Sequence, residues 1–389
     1  MRFSRNVAAL EPSATLALTA RARRLKAQGL SIIDLSAGEP SFHTPEFASA
    51  AASESIRAGR TGYPPTQGIP ELREAVTRYL SDTTAASRTG TEEVLISAGV
   101  KQALFNCAYC LFQTGDAVLV PTPSWPTYLP LVRLTGADPI EVPTRWEEGF
   151  RLDPDQLERR RGANTRGLIL NSPGNPTGVV YEAGLLAEIA AWCERHGVWL
   201  LSDEIYRRLY YAGDWAPSVF DLQNRAERVV LFDGISKSFS MPGWRIGFAA
   251  GPRELIGKAT DLQSQTTSGA SAPAQYAAAA AFGDVDQREE TIQGFRHILA
   301  RRREAALQAL EGVPGLEVRA PEGAIYLFVR LTGGEKSASV AEQLLVQAGV
   351  ACVPGEPFGS PGFLRFSFAA DDREIREGLG RVAAFFRAR

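Results

Sequence analysis

From about residue 91 to residue 250, short β-rich apolar runs alternate with stretches in which apolar residues recur at helical spacing. The runs are EEVLIS, DAVLVP, PIEVP, RGLILNS, VWLLSDE, RVVLFDG and RIGFAAG, and each is followed by a turn rich in Gly, Pro, Ser or Asn. Helical segments such as KQALFNCAYCLF and EAGLLAEIAAWCERHG separate several of them. This alternation predicts an α/β unit: a mostly parallel seven-stranded sheet sandwiched by helices. In such sheets ligands sit at the carboxyl ends of the strands.

After a long helical tract at about 271–312 the pattern changes. Strands with hairpin-like turns (GLEVRAPEGAIYLFVRL), a helix (SVAEQLLVQAG), VACVPG, FLRFSFA and a closing helix predict a separate, smaller α+β domain. The expected layout is an N-terminal arm over 1–40 packing with the small domain, a large domain over 41–285 and a small domain over 286–389. No internal repeat or low-complexity linker interrupts it.

Composition narrows the function classes. The 389 residues carry 42 basic and 44 acidic side chains, a net charge of −2, so no global field draws the chain to nucleic acid or anionic lipid. No apolar run approaches the roughly 18 residues that span a bilayer. Four cysteines are too few for a disulfide framework, and MRFSRNVAALEPSAT lacks the apolar core of a signal peptide, so a cytoplasmic location is expected. Cys107 and Cys110 form a CxxC inside a helical pattern with no second pair or nearby histidine, which predicts buried helix cysteines and no metal site. Small molecules and other copies of the chain are the expected partners.

Several familiar chemical motifs are missing. There is no GxGxxG after a strand and no GxxxxGK[ST], and GISKS ends in Ser238 where a GxSxG elbow needs glycine. Four strand-end segments form a more coherent set. In SAGVKQAL the small residues before a helix let backbone N–H groups approach a phosphate, although a plain helix start reads the same way. NSPGNPTG is an irregular loop that can hold Asn175 rigidly, or simply a tight surface loop. LLSDEIY ends a hydrophobic strand in Asp203 and Glu204; a buried carboxylate there asks for a cation, while by itself Asp203 also reads as the N-cap of a helix EIYRRLYY. DGISKSFSMPGWRIG places Lys237 among Ser236, Ser238 and Ser240, with Arg245 eight residues on. Small neighbours leave room for a planar ring beside a lysine that must lose its proton to react, and the arginine can complete a phosphate clamp.

A reactive lysine, a carboxylate for a ring nitrogen, donors for a ring oxygen and a phosphate cradle are what pyridoxal 5'-phosphate needs. The chain resembles the class I/II aminotransferases, pyridoxal-phosphate enzymes of fold type I, and within them the bacterial aspartate aminotransferase branch. The likeness runs in order through PSAT, SAGEPSFHTP, GYPPTQGIPELREA, SAGVKQALFN, PSWPTY, NSPGNPTG, SDEIY, GISKSFSMPGWRIG and LRFSFA, nearly the whole chain. The resemblance implies that Lys237 forms the Schiff base, that Asp203 pairs with the pyridine nitrogen, and that Asn175 and Tyr206 bond the ring oxygen under a stacked Trp125. It puts Gly99, Val100, Lys101 and Arg245 on the phosphate, and has Tyr63 reach the phosphate of a neighbouring subunit, so a homodimer with shared sites is implied. Arg365, helped by the Gly38 backbone, would hold the substrate α-carboxylate.

The implied activity is transamination between an L-amino acid and a 2-oxo acid by a ping-pong route, aspartate- or glutamate-like by family default. In one sublineage that accepts prephenate a lysine precedes PSAT; here Glu11 stands there, which argues against prephenate. The residue that reads the substrate side chain is not identifiable from the sequence. The alternatives are an aromatic or alanine-type aminotransferase, a β-eliminating C–S lyase on the same scaffold, or a ligand-sensing regulator. The last would need a DNA-binding segment, and the family-like sequence starts by about residue 10.

Overall fold

The computed structural model describes residues 3–8, 10, 12, 14–85, 89–222 and 227–389. Its principal sheet has the seven strands expected from the apolar runs: β2 (Val94–Ser97), β3 (Ala117–Thr122), β4 (Asp138–Pro143), β5 (Thr165–Asn171), β6 (Trp199–Asp203), β7 (Val229–Gly234) and β8 (Gly247–Ala250), β1 being a short strand at Ile33–Asp34. The order is β2-β8-β7-β6-β5-β3-β4. All neighbouring pairs are parallel except those of β8, which is antiparallel to both β2 and β7. Only the short helix Ile235–Ser238 and one tight turn at Pro242–Trp244 lie between β7 and β8, and the chain returns antiparallel beside the strand it has just left.

Alternate residues of the strands serve two cores. Leu95, Val118, Val120, Ile169, Leu201, Val230, Phe232 and Ala249 pack with Ala103, Leu104 and Cys107 of the helix Val100–Leu111 on one face. Val94, Ile96, Leu119, Leu168, Leu170, Leu200, Leu231 and Phe248 pack with Leu186 and Ile189 of the helix Ala183–His196 on the other. The period of two along each strand, with both faces covered, is why the runs read as apolar throughout.

A second sheet, wholly antiparallel, has the order β12-β13-β10-β9, formed by β9 (Leu316–Glu317), β10 (Tyr326–Leu331), β12 (Val353–Pro354) and β13 (Phe363–Ser367). β1 pairs in parallel with β11 (Val350–Ala351), which ties the N-terminal residues to this C-terminal third of the chain. A single long helix, Val285–Leu310, leads from the large sheet's covering helices to β9.

Two local expectations need correction. EIYRRLYY forms turns rather than a helix. Arg207 is drawn inward to the Ala216 carbonyl and to Thr83, and Arg208 to Glu289, so buried ion pairing and hydrogen bonding override helix propensity. Of the CxxC pair Cys107 is buried but Cys110 is exposed, on the flank of the helix beside Lys258 and Asp261. Among the described residues no group of three or more His, Cys, Asp or Glu side chains is placed to hold a metal ion, and no helix is long and apolar enough to cross a membrane.

Candidate active site

The site is built at the carboxyl ends of the parallel strands. β6 ends in Asp203, 2% exposed, whose Oδ1 accepts the Ile205 N–H at 3.2 Å. Its Oδ2 accepts the Tyr128 hydroxyl at 2.7 Å. Burial raises the Asp203 pKa to about 6, opposed by those two hydrogen bonds and by the nearby Lys237 ammonium. A cation placed against this carboxylate would hold it ionised at neutral pH.

β7 delivers Lys237 in the short helix Ile235–Ser238, directly after Gly234. Its Nζ donates to the carbonyl oxygen of Gly38 at 2.6 Å. Burial lowers its pKa to about 8; Glu39 and Asp203 oppose that shift, while the charges of Arg365 and Arg245 reinforce it. An amine of that kind is partly neutral near physiological pH, the condition for attack on a carbonyl.

β5 ends in Asn171, whose Oδ1 accepts the Asn175 N–H at 2.9 Å while its Nδ2 donates to the Asp203 carbonyl at 2.9 Å. The irregular loop is thereby tied to the end of β6. Asn175 Oδ1 accepts Arg365 Nη1 at 2.9 Å, and Arg365 Nη2 donates to the Ser36 carbonyl at 2.8 Å. Arg365 comes from β13 and is only 3% exposed, and its Nε has no protein partner. A buried guanidinium with an unused donor is a receptor for an anion. Asn175 has only its amide N–H₂ left to donate.

The fourth segment folds as a helix start. Gly99, at φ +86°, caps the helix Val100–Leu111, whose first N–H groups have no intrahelical partner. A Cβ at Gly99 would collide with Arg245 Nη2, so the turn has room for the guanidinium only because the residue is glycine. Arg245 donates to the Ala98 carbonyl at 3.1 Å and to Pro242 O at 3.0 Å, and is otherwise exposed. Lys101 lies with its Nζ 4.8 Å from the Trp125 ring centroid; burial and Arg245 lower its pKa. Trp125 meets Tyr128 edge to face at 5.4 Å.

Tyr206 is 4% exposed and its hydroxyl lies 2.8 Å from that of Tyr326. Lys237 Nζ is 5.9 Å from the Tyr206 ring centroid. Lys237 is bonded to Gly38 and Asn175 to Arg365, Tyr206 reaches Arg365 through Tyr326, and Asp203 is tied to Asn175 through Asn171, with Gly99, Val100 and Arg245 forming an adjoining turn. Tyr63 stands apart, 99% exposed. Glu11 lies outside the described residues. Sequence reasoning missed Tyr128, Asn171 and Tyr326. Tyr128 sits in the quoted PSWPTY without a role, and Tyr326 in AIYLFV reads as one more core aromatic.

These groups fit pyridoxal phosphate on the structure's own terms. The glycine cradle that a Cβ would fill, the partly neutral lysine and the buried carboxylate match its phosphate, its aldehyde and its basic ring nitrogen, and the unused Arg365 donor is left over for a substrate carboxylate.

Together the sheet order and this lysine-centred site define a pyridoxal-phosphate-dependent transferase of fold type I. Residues 31–382 match the family model for aminotransferase class I and II, and the chain belongs to that family of transaminases. It is 38% identical over 383 residues to a probable aspartate/prephenate aminotransferase of Aquifex aeolicus, covering 97% of this chain and 96% of the relative. It is 37% identical to an aspartate aminotransferase of Geobacillus stearothermophilus over the full length of both. The solved aspartate aminotransferase of Thermus thermophilus with maleate superposes with a TM-score of 0.94 at 38% identity, over 99% of this chain and 100% of that one.

Proposed function

We propose that the chain transfers the amino group of an acidic L-amino acid, aspartate first, to a 2-oxo acid in two half-reactions at the site around Lys237. The observation that carries this reading is the convergence, on a Lys237 amine of lowered pKa, of the charges of a buried carboxylate, Asp203, and of a buried guanidinium with a spare donor, Arg365. Pyridoxal phosphate, when bound, supplies the aldehyde that takes the substrate amine and the ring that accepts the electron pair left at Cα.

With the cofactor present, Lys237 would hold it through its Nζ, and the same amine, when free, would serve as the base and then the acid for the substrate Cα proton. Asp203, fixed by Tyr128 and the Ile205 N–H, keeps the ring nitrogen protonated by its charge. The Asn175 amide and the Tyr206 hydroxyl donate to the ring oxygen, and Trp125 covers the ring face. Gly99, Val100, Lys101 and Arg245 bind the phosphate. Arg365 takes the α-carboxylate through its spare N–H, and the Gly38 backbone lines the same end of the site.

The aspartate preference rests on the names of the relatives, three of which add prephenate. Glu11 has the charge opposite to the lysine of the prephenate-accepting sublineage, so prephenate falls outside this proposal. Tyr63 at 99% exposure fits a side chain that reaches into a second subunit, making the working unit a homodimer; sedimentation of the active protein as a monomer would contradict this. Four unpaired cysteines accord with a cytoplasmic setting, and a disulfide in protein isolated under thiol-trapping conditions would count against it.

The test is a donor panel. With 2-oxoglutarate as acceptor, aspartate should yield its oxo acid without ammonia, ahead of alanine and phenylalanine. Stoichiometric ammonia and pyruvate from a β-substituted donor would instead define a lyase, and absence of turnover with acidic donors would overturn the substrate assignment.

A further inference from the structure

Tyr326 lies in β10, opposite Ser367 of β13, and is 1% exposed. Ordinary core packing would not require its hydroxyl, yet both the hydroxyl and the ring of this core residue meet site residues. The hydroxyl oxygen is 2.8 Å from that of Tyr206, with the two rings edge to face at 5.8 Å. The ring carries the Arg365 guanidinium 4.2 Å from its centroid. A Cβ on Gly38 would lie 2.5 Å from the same hydroxyl. One side chain thus touches the candidate ring-oxygen donor, the candidate carboxylate receptor and the backbone that accepts from Lys237.

A proton count gives this placement a consequence. A phenol has one proton to donate. If Tyr206 gave it to Tyr326, none would remain for a ring oxygen. With an anionic oxygen beside it, Tyr206 turns its proton outward, and Tyr326 donates to the oxygen of Tyr206. Such a chain of hydroxyls polarises each member, so the terminal donor is stronger than a lone phenol. The pair is buried, so water does not replace a deleted partner. The charged groups facing it are Arg365, Asp203 and Lys237.

We propose that Tyr326 is a positioning residue with two separable roles: its hydroxyl aims the Tyr206 proton at the cofactor's ring oxygen, and its ring supports Arg365 for the substrate carboxylate. The proposal rests on the functional reading above. The two roles should come apart in variants read without turnover, by the pH titration of the cofactor–lysine absorbance and by the dissociation constant of maleate, an unreactive dicarboxylate.

In Tyr326→Phe the ring oxygen loses support for its charge, the bound group keeps its proton to higher pH, and the spectral midpoint rises by roughly half a unit. Maleate affinity stays within about twofold, because the ring remains under Arg365. Tyr326→Leu shifts the midpoint likewise and weakens maleate about fivefold or more. Gly38→Ala should displace the hydroxyl and reproduce the midpoint shift, but not add to it in Tyr326→Phe, where the new methyl meets only the ring carbon at 3.6 Å. This cycle keeps the test intact if the leucine variant does not fold. An unmoved midpoint in Tyr326→Phe, full additivity with Gly38→Ala, or unchanged maleate binding in a folded Tyr326→Leu would overturn the proposal. Failure of the wild-type protein to show a lysine-dependent cofactor band would instead overturn the functional reading itself.

Discussion

Lys237 is distinguished from the other lysines of the chain by where its amine is kept. Its one hydrogen bond goes to a neutral carbonyl, that of Gly38, and the charges of two guanidinium groups, Arg365 and Arg245, act on it. Burial lowers its pKa from 10.5 to about 8, so the neutral form is favoured by the fold. At pH 7 that leaves roughly a tenth of the amine neutral, against roughly 0.03% for an unperturbed lysine. The cofactor-free protein should therefore capture pyridoxal phosphate covalently at a rate that climbs with pH and levels off above about pH 8. Stopped-flow absorbance checks this, and a rate still climbing through pH 10 would contradict it. The expectation that Lys237 is more than a surface charge came from its company: Asp203 ending one predicted strand, and Asn175 and Gly99 in the segments just after two others. Tyr128 and Tyr326 were not readable, because an aromatic side chain in an apolar run looks the same whether its hydroxyl is idle or bonded.

The strands were legible because each is a short, β-rich apolar run bounded by turn residues; covered on both faces, they hide their period of two, so length and flanking turns identify them. The segment after β6 was not: EIYRRLYY has helical spacing, and only the buried partners of Arg207 and Arg208 tell that it turns instead. The close approach of β8 to the turn at Gly99 and Val100 was also hidden. Gly247 opens β8, and a Cβ there would collide with the Val100 backbone nitrogen and the Gly99 carbonyl carbon. Backbone atoms cannot swing aside as a side chain can. Gly247→Ala should therefore push the turn out of register, lowering stability by about 1–3 kcal/mol, the usual cost of overfilling a packed site. Cofactor affinity should fall at least tenfold, by the measure of equilibrium dialysis. Wild-type affinity in a folded variant would show that the turn tolerates displacement.

For the whole molecule, the site draws on parts of the chain far apart in sequence. Gly38 precedes the large sheet, Asp203 ends one of its central strands and Lys237 follows another in a short helix, and Arg365 and Tyr326 come from the antiparallel sheet. Sequence patterning gave the two sheets and the order of their strands along the chain. It could not give their meeting, since contacts between distant segments leave no periodic trace; the ordered family motifs supplied that expectation. The central claim is that the substrate amine exchanges with Lys237 on bound pyridoxal phosphate. The most direct measurement is the visible spectrum of the cofactor-loaded protein during addition of aspartate and then 2-oxoglutarate, beside Lys237→Ala. The wild-type band should collapse to shorter wavelength with the amino acid and return with the oxo acid, while Lys237→Ala should lack the initial lysine-bound band and fail to cycle. A Lys237→Ala protein that shows the same band and completes the same cycle would contradict the account.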